Sequence, residues 1–228
     1  MNYRWLGLAL SVLLVLCGCA GPISNCDADR NSESTWEIKK KGLSGPVVNY
    51  KVKLVTKGKK FKAEMYSRTR DVGIGQRVES KWTVRCDGST VWVTDRASSY
   101  DGGPYQEFGG ATQWTVDDEF LRPQLFWKSN FLAAAPNEIG TEEIDGKTYK
   151  QFQSVVGNAM GGTTKYTYAV DTDKHYYRRW TREFVGDSHI DSYDCTSFEN
   201  STSVSDSEFS YSGEAEKMKK FDIFNESL

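Results

Sequence analysis

The sequence predicts a mainly β protein with a few helices, its strands laid out as an antiparallel meander. Three observations carry this. Tyr and Trp recur in short alternating segments that suit a pleated surface. Apolar and polar residues alternate with a period of two over several runs. Short turn motifs with Gly, such as Asp87-Gly88 and Asp145-Gly146, separate those runs. The 29 Lys and Arg against 31 Asp and Glu, mixed along the chain, create no field that would gather nucleic acid, which is excluded as a partner.

The amino terminus, MNYRWLGLALSVLLVLCGCAGP, reads as a secretory signal over residues 1–18, with Arg4 before an apolar run from Leu6 to Leu16. That run falls short of the roughly 20 apolar residues a bilayer-spanning helix needs. Leu16-Cys17-Gly18-Cys19 resembles the bacterial lipobox, which implies cleavage after Gly18 and lipidation of Cys19. Acyl chains there would tether the protein firmly to a membrane. Ala20, where an inner-membrane retention signal would place Asp, resembles the pattern sent to the outer membrane, facing the periplasm. Residues 19–35 are small and polar, as suits a lipidated tether, and residues 36–228 form one domain.

A short helix is expected from Thr35 to Gly42, with Ser34 or Thr35 as its cap. Val48, Tyr50, Val52 and Leu54 then alternate with Asn49, Lys51 and Lys53, and Phe61, Ala63 and Met65 follow a Lys-Gly-Lys-Lys turn. This is a hairpin with one wet face. Ile74, Val78, Trp82 and Val84 share a face of the next strand, opposite Arg77, Glu79, Lys81, Thr83 and Arg85. Gly88 turns the chain into a strand at Val91 to Val93. Residues 96–113 carry no period and read as a long loop. Pro123 suits the first turn of a very apolar helix running to about Ala134. Thereafter Tyr149–Val155, Thr163–Asp171, Tyr176–Val185 and His189–Ser197 form consecutive hairpins, with short closing segments at 209–211 and 221–224.

With Cys17 removed and Cys19 acylated, Cys26, Cys86 and Cys195 remain, so one disulfide among them and one spare thiol is expected in an oxidising compartment. Their spacing fits no zinc site, and no metal or cofactor is expected. Only His175 and His189 could serve as imidazole bases, and neither lies in a nucleophile motif. Gly73-Ile74-Gly75 lacks the Lys-Ser/Thr of a phosphate loop, and Asp117-Asp118-Glu119 and Asp171-Thr172-Asp173 lack calcium-loop spacing. The expectation is a protein without catalytic residues.

Taken in order, KGKKFKAEMY, CDGSTVWV, EEIDGKTYKQFQ and YAVDTDKHYYRRWTRE resemble the LolA-like group of bacterial envelope lipoproteins and lipoprotein carriers over residues 46–224. Asp87, Gly88 and Trp92 match one of that group's phrases, Asp145, Gly146 and Tyr149 a second, and Asp171 with Arg178 a third. Cys86 departs from the pattern, and the lipobox distinguishes the chain from the soluble carrier. The resemblance implies a strongly curved antiparallel sheet, an incomplete β-barrel, with helices across its concave face and an apolar cavity for acyl chains. Val52, Met65, Val78, Trp82 and Trp92 would line that cavity, with Leu125, Phe126, Trp127 and Phe131 on the helix over its mouth. The expected role is capture of lipid or lipoprotein acyl chains in lipoprotein or lipid trafficking. The alternative is an envelope sensor or scaffold contacting protein partners, as stress-regulating RseB-type relatives are thought to do.

Overall fold

The computed structural model describes Cys26 and residues 30–41, 46–70, 73, 75–115, 136–157, 162–186 and 190–217. Every regular element among them except one short 3-10 turn is a strand. The first strands are β1 (Ser32–Lys41), β2 (Val47–Lys57), β3 (Lys60–Arg70), β4 (Arg77–Cys86), β5 (Thr90–Tyr100), β6 (Gln106–Glu107) and β7 (Ala111–Thr115). A second series holds β8 (Asn137–Ile144), β9 (Lys147–Gly157), β10 (Thr163–Asp171), β11 (Tyr176–Phe184), β12 (Ile190–Glu199) and β13 (Ala215–Lys217).

All of them belong to one open sheet of 13 strands, ordered β13-β7-β5-β4-β3-β2-β1-β12-β11-β10-β9-β8, with β6 continuing the edge of β5. The expected architecture is therefore corrected. Among the described residues no helix crosses a concave face, because this part of the chain spends its hydrogen bonds on ladders between strands. Over its described residues, 35–41, the helix expected at Thr35–Gly42 is part of strand β1: Ser34, Trp36 and Ile38 are buried while Glu37 and Lys39 are exposed. A period of two, with a neighbouring strand on each side, outweighs a cap and a terminal Gly. The expected helix from Pro123, with Leu125, Phe126, Trp127 and Phe131, lies outside the described residues, as does Cys19.

β1 joins the two halves of the sheet, pairing antiparallel with β2 on one side and with β12 on the other. Tight turns build the hairpins. At β8–β9, Asp145 and Gly146 both hold positive φ, 53° and 75°, the geometry of a two-residue turn matched to strand twist. At β4–β5, the Asp87 carboxylate accepts the backbone N–H groups of Ser89 and Thr90 at 2.8 Å each. The loop expected over 96–113 is mostly strand, since β5 pairs with β4 as far as Tyr100 and β6 and β7 follow.

One face of the sheet is dry. Trp36, Ile38, Tyr50, Val52, Leu54, Phe61, Met65, Trp82 and Val84 merge with Phe152, Tyr168, Tyr177, Trp180 and Tyr193 in one cluster. We call this the inner face. A half-buried ion pair interrupts it, the guanidinium of Arg182 donating to the buried Asp191, which is 2 % exposed.

The outer face is polar and is crossed by a strap. Beyond β12, Thr202 donates to Glu33 on β1 (3.1 Å), Asp206 bridges Lys57 (2.7 Å) and Lys60 (2.8 Å), and Glu208 meets Lys62 (2.7 Å). Phe209 ends the 3-10 turn Asp206–Phe209 fully buried. The strap delivers β13 to the edge of β7, the one parallel pairing described.

Candidate polar trough

The expected cavity residues occupy two faces. Val52 pairs with Met65 and Met65 with Trp82, a continuous row across β2, β3 and β4 on the inner face. These three are only 1–2 % exposed, and Val78, two residues from Ser80 on the same side, is also buried. They are packed core. Trp92 is corrected to the outer face, because it stands opposite Arg85 while Val91 and Val93 point inward; its indole N–H donates to Gln113 at 3.1 Å.

No disulfide joins Cys26, Cys86 and Cys195, all of which are buried. In the sheet order β3, β2 and β1 stand between Cys86 on β4 and Cys195 on β12. At about 4.8 Å per strand that separation exceeds the reach of a disulfide, which corrects the expected bridge for this pair. Burial pushes the Cys86 thiol up to about 11 and that of Cys195 up to about 12, the wrong direction for a nucleophile. His175 sits on the β10–β11 turn at φ 56°, where its carbonyl receives the Arg30 guanidinium. His189 is outside the described residues. Among the described residues no group of His, Cys, Asp and Glu is arranged to hold a metal ion. No described helix is long and apolar enough to cross a membrane.

Two of the turn motifs are tied down by ion pairs to remote strands. Arg178 donates to Asp145 at 2.6 Å, joining β11 to the β8–β9 turn, and Lys147 donates to Asp171 at 2.6 Å. Asp171 is buried, which alone would raise its pKa, but Lys147 and the amides of Lys174 and Asp173 hold it below the usual carboxylate value.

The Arg178–Asp145 pair forms one wall of a trough of about 1400 Å³ on the outer face, running from there across β12, β1, β2 and β3 to Arg77 on β4. Register explains its lining. Arg179, Asp194, Glu37, Lys51 and Tyr66 are consecutive cross-strand neighbours, and Lys39, Asn49, Arg68 and Glu79 form the next row. Lys39, Lys51, Arg68, Arg70, Arg77, Arg178 and Arg179 line it against Glu37, Asp145 and Asp194, so cations predominate.

The charges are unevenly matched along its length. At the β11 end Arg179 is held by Asp194 and by Glu142 (2.7 Å); burial lowers its pKa but both carboxylates raise it. Arg178 reaches Asp194 as well, at 3.6 Å. In the middle Lys51 faces Glu37 at 3.3 Å. At the β4 end Glu79 lies 3.3 Å from Arg77 and 3.8 Å from Arg68. Burial and the charge of Glu79 together push the phenols of Tyr66 and Tyr105 up.

Alternation in the sequence showed that these residues leave the core. Their convergence could not be read there, because it depends on β1 lying between β2 and β12. No protein-family model matches the chain, and no curated protein is significantly similar to it.

Proposed function

We propose that the chain is a lipid-anchored cell-envelope protein that binds its partner on the polar outer face of the sheet, without chemistry of its own. The lipobox ending at Cys19 supports the anchor, and the residue after it, Ala20, supports the outer membrane facing the periplasm. The observation that carries the choice of face is the burial of Val52, Met65 and Trp82 at 1–2 % exposure, against a solvent-open trough of about 1400 Å³ on the other side. An acyl chain gains about 0.8 kcal/mol per buried methylene only where space receives it, and residues packed this closely offer none. The sensor or scaffold reading is therefore preferred to acyl-chain carriage, and the LolA-like resemblance stands behind it only as a likeness of motifs.

Native mass spectrometry with lipid extraction, on residues 20–228 exported to a bacterial periplasm, tests this reading. A clean apo mass is expected. A stoichiometric adduct with the mass of an acyl lipid would overturn it and restore lipid carriage.

A further inference from the structure

The β4 end of the trough departs from charge balance. Arg68 and Arg70 are two residues apart on one strand and share the outer face, about 7 Å from each other. Arg77 stands directly opposite Arg70 across the β3–β4 ladder. Like charges directly opposite one another destabilise a sheet, so this pairing costs the fold stability.

Little among the described residues offsets it. Among the described residues Glu79 is the carboxylate shared by Arg68 and Arg77. The Asp101 carboxylate accepts the backbone N–H of Arg77 at 2.8 Å and serves the turn after β5. Nε of Arg70 donates to a carbonyl, that of Gly75, at 3.1 Å. Lys39 stands on the row of Arg68, across Asn49. Gly102, at φ 79°, gives Arg77 its place: a Cβ there would come within 2.7 Å of Nη2 of Arg77.

We propose that Arg68, Arg70 and Arg77 form a binding site for a phosphate group. Three arginines rooted about 5–8 Å apart along and across two neighbouring strands, on one face and lining one trough, have side chains long enough to reach one compact anion. A phosphate offers three or more oxygens to several forks at once, whereas a carboxylate is filled by one. This deepens the outer-face reading and rests on it. Lipid headgroups and free phosphate esters share the chemistry.

The full lipidated chain in neutral detergent is titrated with inorganic phosphate at constant ionic strength, and thermal unfolding is followed. A saturable rise in Tm is expected. In Arg70→Gln and Arg77→Gln the apparent affinity falls at least tenfold, while Lys150→Gln on β9 leaves it unchanged. Because either substitution relieves the facing charges, the unliganded Tm holds or rises, which separates lost binding from lost folding. A second titration uses glycerophosphoglycerol, the deacylated headgroup of an anionic phospholipid. Tighter binding than phosphate assigns the site to a membrane lipid, and weaker binding assigns it to a free phosphate ester. The proposal is overturned if neither probe gives a saturable shift, if the arginine variants respond like the parent, or if both variants lose unliganded Tm. An acyl adduct in the mass measurement would end the outer-face reading alone, leaving the arginine dependence to be read separately.

Discussion

The indole of Trp180 on β11 lies flat against the ring of Tyr193 on β12, centroids 3.6 Å apart and planes within 7°. The two are direct cross-strand partners on the inner face, and Tyr168 continues the stack from β10 at 6.4 Å. This aromatic row anchors the carboxyl-terminal half of the sheet to the shared core.

Trp180→Ala should accordingly cost roughly 3–5 kcal/mol, the range for deleting a large buried aromatic. Trp92→Phe on the outer face keeps most of its volume and should cost less than about 1.5 kcal/mol. Urea unfolding of both variants checks the assignment of faces; equal losses would contradict it.

Arg182 and Asp191 form an ion pair on the inner face. Asp191 is buried and Arg182 half-buried, so Arg182→Ala should destabilise the fold by less than the roughly 3–5 kcal/mol of breaking a fully buried pair. The double variant Arg182→Met with Asp191→Leu should recover most of that loss, since an apolar pair needs no compensation. Chemical denaturation of the two variants gives the comparison.

The thiols of Cys86 and Cys195, pushed up to about 11 and about 12 by burial, should ignore a chromogenic disulfide reagent at about pH 8. Both should react once guanidinium unfolds the chain. Rapid labelling of either in the native protein would show that its corner of the core opens readily.

The strap is acid-sensitive. Hydrogen bonds from Lys57 and then Lys60 pull Asp206 down to about 2 from the ordinary 3.8, and Lys62 lowers Glu208. A carboxylate with a depressed folded-state pKa contributes fully above its unfolded value and loses that contribution as pH falls through the folded one. Pepsin cleavage between Asn200 and Tyr211, normalised to an unstructured peptide, should accelerate as pH drops from 3.8 towards about 2. Asp206→Asn should remove most of that pH dependence by opening the strap at all pH values.

Much of the sheet was legible because its strands alternate cleanly: Val78, Trp82 and Val84 against Glu79, Lys81 and Thr83 is visible without coordinates, and the structure keeps it. β1 was misread because Thr35–Gly42 has a cap and a stop as well as a period of two, and the deciding neighbours, Val52 and Cys195, are remote in sequence. Trp92 could have been placed correctly, since a residue between two inward valines must point outward. The trough was beyond reach for a different reason. Arg77, Asp145 and Arg179 share a surface only through the order in which distant hairpins dock.

That order also governs when the protein can assemble. The first described strand needs the twelfth beside it, with Glu33 facing Glu199, so its second ladder cannot close until nearly the whole domain has emerged. Each flanking hairpin array is local and forms quickly, whereas this closure joins the first and twelfth described strands and carries the entropy of a very long loop. Until then both arrays present a bare edge. Under the proposed function, in which the chain is exported, this delay keeps the polypeptide threadable through a translocation channel and postpones commitment to the native sheet until the far side is reached.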